Sequence, residues 1–404
     1  MSKSIAAALV GATLSVSCRA SGLQSNASAK TVTVPVRDGL VTINLDGQDV
    51  DLLLDSGDFE INVLDGHWYE GKYGQGACKR RGSGCYFCPE EKPCDFDGKE
   101  PLYKVSYEGN TSMESIYRHG SLSLAGHDTT DILFRVSRAT HVDEYSRLYG
   151  LFGIRRLPKN LQMFSVPPNV KGVLESLVDN DIIGRLSYTL RTNTPQNTDL
   201  ISGELTLGDT PPAVESNATN YIVTDMANKR DSDLGYVQAS MSRLRLFDAE
   251  GHLLREQGPA LGRPESYSVH IDTGANAIFL PQAGLLDDIQ WKLQLRLTRE
   301  GYTYEEVIGS FWRRKNYMYV KEDVASFLPV LGFQLTDEEK SEWIKIPPRH
   351  YCTSMGAGVW VIEVREARFN ILGTPFLRAC SIHVDFTDLK LALFQNGMPP
   401  LMMT

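Results

Sequence analysis

From Thr31 the chain alternates apolar and polar residues in short runs broken by Asp-Gly pairs. "TVTVPVRDGLVTINLDGQDVDLLLD" (31–55) is the clearest case, and "YKVSYEGN" (103–110) and "IYRHGSLSLAGHDTTDILFRVS" (116–137) repeat it. Period-two alternation closed by such turns predicts successive β-hairpins. Helical periodicity is confined to "VKGVLESLVDNDII" (170–183), the segment beginning "LPQAGLLDDIQWKL" (280–293) and "KEDVASFLPVLG" (321–332). The pattern is that of a mostly β chain with a few short helices.

Two stretches break the alternation. "TDMANKRDSDLG" (224–235) is polar and charged between two strand patterns, which places a domain boundary near Thr224. Residues 31–224 and 225–404 then form an N-terminal and a C-terminal unit, as a 404-residue chain exceeds what one core ordinarily supports. The first 22 residues carry Lys3, a short apolar run and small residues, the layout of a secretory signal peptide spanning 1–20 with cleavage after Ala20. That run is too short to cross a bilayer and no later segment is long enough, so no membrane anchor is expected.

Composition adds exclusions. With 42% hydrophobic and 23% charged residues the chain is globular, and its net charge of -9 argues against nucleic acid as a partner. The basic-aromatic run "FWRRKNY" (311–317) is read as a solvated strand face. Of seven cysteines, Cys18 lies in the signal segment, and six remain: Cys78, Cys85, Cys88, Cys94, Cys352 and Cys380. An even number in an exported chain favours disulfides. "CKRRGSGCYFCPEEKPC" (78–94) predicts a doubly bridged surface loop; as a zinc knuckle it would have only one pair at the usual two-residue gap. Asn26, Asn110 and Asn217 open glycosylation sequons, again consistent with the secretory pathway.

The candidate chemistry sits where two strands end. "LLLDSGDFEINVL" (52–64) has a counterpart in "SVHIDTGANAIFLP" (268–281): an apolar strand, Asp, Ser or Thr, Gly, then apolar residues again. Asp, Ser and Gly also close ordinary turns, but one copy in each half of the chain suggests a pair with a shared purpose. Two carboxylates about 3 Å apart cannot easily ionise together and hold one proton between them. They supply both the base that takes a proton from water and the acid that protonates a peptide carbonyl or amine. Asp55 and Asp272 are the candidate pair. Gly57 and Gly274 are expected to allow backbone angles a side chain would forbid, and Ser56 and Thr273 to hydrogen-bond across the interface and hold the carboxylates in one plane. No H-E-x-x-H zinc motif and no G-x-S-x-G elbow is present, and the eight histidines are scattered.

With these residues in view the chain resembles the pepsin-like aspartic protease family (peptidase A1) from about Val34 to Phe394. The likeness runs through "DSG" at Asp55, the hairpin "YKVSYEGN", "YGLFGI" (149–154), "SGELTLGD" (202–209), "DTGA" at Asp272 and "ILGTPFLRACSIHVDF" (371–386). It implies a bilobal fold of two β-rich lobes with a cleft between them, one catalytic Asp from each, and an extended peptide or protein as substrate, lying in the cleft like an added strand. It also implies a monomer needing no cofactor or metal. In this family an apolar pair and Gly, here Leu372 and Gly373, thread behind the second catalytic turn, and Leu151 to Ile154 would do so behind the first. Tyr107 falls at the position of the flap tyrosine, which helps order the hairpin over substrate.

Three features depart from the family. Asp58 replaces a hydroxyl that hydrogen-bonds the first catalytic Asp; ionised, it would repel the pair, and protonated, it could still donate that bond. Asn62 replaces a tryptophan that packs on the flap tyrosine, and the flap tip "EGNTS" (108–112) lacks the usual small glycine-rich sequence. About ten residues separate Ala20 from the first strand, so no long basic prosegment is expected. The expectation is an acid endopeptidase of the secretory pathway, secreted or held in an acidic vesicle. The alternative is a pepsin-like fold kept as an inactive binding or inhibitory protein.

Overall fold

The computed structural model describes residues 30–98, 100–107, 111–142, 148–193, 200–210, 221–227, 233–254, 266–336 and 343–396. The signal segment, the three sequon asparagines, the flap tip 108–110 and the Tyr107 side chain lie outside them.

The chain is mostly β, organised in several sheets. Alternation in the sequence becomes alternation in burial: Val32, Val34 and Val36 of the strand Val32–Val36 are buried and their neighbours exposed. The strand Gln48–Asp55 buries Val50, Leu52 and Leu54. It belongs to a sheet running Leu40–Leu45, Gln48–Asp55, Leu151–Gly153, Ile61–Asp65, His127–His141, Thr111–Leu124 and Tyr103–Tyr107. A second sheet runs Gln238–Met241, Tyr267–Ile271, Ile371–Leu372, Ile278–Leu280 and Val364–Glu366.

The two sheets repeat one arrangement. Gln48–Asp55 turns into Ile61–Asp65, and between them lies Leu151–Gly153, parallel to the first and antiparallel to the second. Tyr267–Ile271 turns into Ile278–Leu280, with Ile371–Leu372 between them in the same senses. Each inserted segment ends in a glycine against the turn it backs. A Cβ on Gly153 would come within 2.5 Å of the Glu60 nitrogen, and one on Gly373 within 2.3 Å of the Ala275 oxygen.

A six-stranded sheet draws on both ends of the chain, in the order Val32–Val36, Gly203–Leu207, Ser187–Thr192, Cys380–Asp385, Lys390–Gln395 and Tyr221–Asp225. Thr224, where the polarity pattern set a boundary, lies inside the last of these strands, paired with Leu391.

Helices are few. Leu285–Arg299 buries Leu285, Leu286, Ile289, Leu293 and Leu297, and has Asp287 and Asp288 in its first turn and Arg296 and Arg299 in its last, matching the helix dipole. The segment read as helical over 321–332 is instead a 3-10 turn, Glu322–Phe327, followed by the strand Val330–Gln334. Pro329 explains the difference, because it holds Leu328 extended (ψ 149°) and has no N–H to continue a helix. The basic-aromatic run is the strand Phe311–Arg314 and the start of Tyr317–Lys321, with Trp312 and Tyr317 exposed.

The cysteine cluster is bridged Cys78–Cys85 and Cys88–Cys94. Cys352 and Cys380 do not complete the expected even set; both are buried free thiols. Burial raises both, Cys380 to about 12, so they behave as small apolar side chains. Among the described residues no group of His, Cys, Asp or Glu is arranged to hold a metal, and no helix is long and apolar enough to cross a membrane.

The close approach behind the first turn gives a test. Gly153→Ala is expected to lower the unfolding free energy by about 1–3 kcal/mol in urea titration, as overpacking against backbone does. Gly71→Ala, in a helix with nothing within 4 Å of the new methyl, should be neutral or slightly stabilising. Equal effects from the two would contradict this packing.

Candidate active site

The strand Gln48–Asp55 ends on Asp55, and Tyr267–Ile271 delivers Asp272 one residue beyond its end. Both acids are fixed by the turns that follow: Asp55 Oδ1 accepts from the Gly57 N–H at 2.7 Å, and Asp272 Oδ1 from the Gly274 N–H at 2.8 Å.

The turns are then tied to one another. The Ser56 N–H donates to Thr273 Oγ1 at 2.8 Å, and the Thr273 N–H donates to Ser56 Oγ at 3.0 Å. Each hydroxyl in turn donates into the opposite strand, Thr273 to the Leu54 carbonyl at 2.7 Å and Ser56 to the Ile271 carbonyl at 3.2 Å. All four bonds are buried, and each joins groups more than 200 residues apart in sequence.

This crossing brings the two carboxylates together above the glycines. A Cβ on Gly57 would lie 2.7 Å from Asp272 Oδ2 and 3.0 Å from Asp55 Oδ1; one on Gly274 would lie 2.7 Å from Asp55 Oδ1. The glycines therefore serve a different need from the one expected. Neither has positive φ, and what excludes a side chain is the room taken by the opposite carboxylate.

Burial pushes Asp55 well above the usual carboxylate range, with the charges of Asp272 and Asp58 adding to it against the Gly57 N–H and Arg155. Burial also raises Asp272, but the Gly274 N–H, a hydrogen bond with Asp55 and Arg155 pull it back. Both carboxyls are thus raised, and the pair holds one proton in common more readily than it ionises twice.

Asp58 does not supply the bond to Asp55 that its position suggested. Its Oδ1 accepts from the N–H groups of Phe59 (2.7 Å) and Glu60 (3.3 Å), and its Oδ2 from Arg135 Nη2 at 3.1 Å. Arg135 also pairs with Glu60 at 3.5 Å. Glu60 is itself 2% exposed, and burial, opposed by Arg135, raises it to about 7. Asn62 is fully buried and accepts a hydrogen bond from Ser137 on the strand carrying Arg135. The hairpin Tyr103–Tyr107 and Thr111–Leu124 pairs Tyr107 with Thr111 in the backbone.

Sequence reasoning passed over three of these residues. Glu60 sits inside the motif around Asp55, and Arg155 follows directly on the "LFGI" segment. Arg135 is visible only as a charge at a position whose strand neighbours, Phe134 and Val136, are fully buried. A cation inside the apolar run from Ile132 to Val136 was the available signal.

Compared with known proteins, the chain matches no family model and no curated protein.

The raised Glu60 sets a pH dependence of stability. A group whose pKa is higher in the folded state stabilises below its unfolded value and loses that contribution as pH rises through its folded value. Unfolding free energy should therefore fall between about pH 4.5 and 7, and Glu60→Gln should flatten part of that fall, by on the order of 3 kcal/mol at most. Denaturant titration across this range checks it. An identical slope in Glu60→Gln would contradict the assignment.

Proposed function

We propose that the protein is an aspartic endopeptidase with a bilobal pepsin-like fold, hydrolysing peptide bonds with water as nucleophile. The observation that carries this reading is the reciprocal hydrogen bonding of Ser56 and Thr273, which holds Asp55 and Asp272 together, half-buried, in one site. A merely structural turn pair has no need to bury two acids against each other, since each raises the cost of ionising the other.

Asp272, as carboxylate, takes a proton from a water held between the pair while Asp55 protonates the carbonyl oxygen of the scissile bond. The water oxygen bonds to the carbonyl carbon, giving a neutral tetrahedral diol and leaving the dyad again with one proton. Proton transfer to the amide nitrogen and loss of a diol proton to the dyad then release the two peptide products. An extended substrate lies along the site as an added strand. The paired cysteines at 78–94 suit an oxidising compartment, and the proton requirement suits an acidic one.

Arg135 answers the objection raised by Asp58. The third acid is paired with a buried guanidinium, which offsets part of the charge it presents to the dyad and favours activity over the inactive binding-protein alternative.

Cleavage of a denatured protein at about pH 4 is expected for the native chain, blocked by a statine-type inhibitor and reduced at least ~1000-fold in Asp272→Asn. Persistent cleavage by Asp272→Asn would overturn the reading. Asp58 raises Asp55, so Asp58→Asn should move the alkaline limb of the kcat/KM profile to lower pH. A limb unmoved or shifted upward would contradict the electrostatic account.

A further inference from the structure

Beside the dyad lies a cavity of about 320 Å³ lined by Gly57, Asp58, Glu60, Lys104, Arg135 and Arg155, with aromatic rings in its wall. Its most unusual component is Arg155. The residue is 3% exposed, its guanidinium packed between Tyr236 (4.2 Å), Phe59 (5.1 Å) and Phe164 (5.3 Å). Among the described residues it forms no ion pair with any carboxylate, and its Nε has no hydrogen-bond partner. A buried cation with no carboxylate in direct ion-pair contact is costly to hold.

The other charges do not satisfy it. Asp58 is taken by Arg135 and two backbone N–H groups, and Glu60 is shared with Arg135 and holds a proton below about pH 7. Asp55 and Asp272, with one proton and one negative charge between them, feel the charge of Arg155 but form no direct ion pair with it. In acid the lining carries Lys104, Arg135 and Arg155 against Asp58, a net positive pocket.

We infer that this cavity is a subsite for an acidic side chain of the substrate, an Asp or Glu whose carboxylate pairs with Arg155 within its aromatic cage. The inference rests on the peptide-cleft reading above. Gly57 lines the cavity and also abuts both carboxylates of the dyad. With a rise of about 3.3 Å per residue in an extended peptide, the residue occupying it lies within about two positions of the scissile bond. Planar guanidinium between rings is already oriented for a carboxylate, so little freedom is lost on binding.

The test uses statine-type peptides identical except for Glu, Gln or Leu at each of the two positions on either side of the statine, with binding measured by calorimetry at pH 5 beside cleavage of matching substrates. At one position Glu should bind roughly 10- to 100-fold more tightly than Gln, the range expected for a charge-assisted pair. Arg155→Met should abolish that preference and Arg155→Lys keep part of it, while circular dichroism and the melting temperature of each variant report that the protein remains folded. Absence of a Glu preference at every position overturns the subsite, and so does a preference that survives Arg155→Met. Tight, Arg155-dependent binding of Glu peptides without hydrolysis of any substrate would leave the subsite standing and remove the protease reading instead.

Discussion

The exchange of hydrogen bonds between Ser56 and Thr273 is the constraint on which the rest of this molecule depends. Two turns far apart in sequence each give the other a donor and an acceptor, and each hydroxyl also closes on the opposite strand. Because all four bonds are buried, separating the turns would strand polar atoms away from water, at about 1–3 kcal/mol for each group left unpaired. That cost keeps Asp55 and Asp272 facing each other in spite of their mutual repulsion. The glycines and the segments threaded behind the turns follow from the same need for close approach.

A second layer of electrostatics surrounds this pair. Asp58, Glu60, Arg135 and Arg155 form a set, all buried but the half-buried Asp58, in which two acids and two guanidinium groups lie beside the dyad. Their effects oppose one another: Asp58 raises Asp55, and Arg155 lowers both dyad members. The proton on the dyad is thus set by burial and balanced by neighbours that the turns themselves bring close. At position 58 a carboxylate is held by an arginine from a strand 77 residues away.

Much of the frame was legible because β-structure writes itself as period-two alternation, and Asp-Ser-Gly and Asp-Thr-Gly mark strand ends by local turn chemistry. The residues that were missed share a different property. Arg135 meets Asp58 only through the parallel pairing of Ile61–Asp65 with His127–His141, and no local pattern encodes that register. Nothing local marks Arg155, the first of two adjacent arginines, until the rings of Phe59, Phe164 and Tyr236 are brought around it. The even cysteine count misled for a related reason: Cys352 and Cys380 each pack as apolar side chains, and a count carries no information on distance. The false helix at 321–332 is the exception, since Pro329 was in plain view.

The most direct test of the account is a carbon-13 NMR titration of the Asp carboxyl carbons in the native chain and in Asp272→Asn. The account predicts that Asp55 titrates well above the ordinary carboxylate value of about 3.9 in the native chain and moves down when its charged partner is removed. An Asp55 carboxyl that titrates near that ordinary value, unchanged by the substitution, would contradict a shared proton and the mechanism built on it.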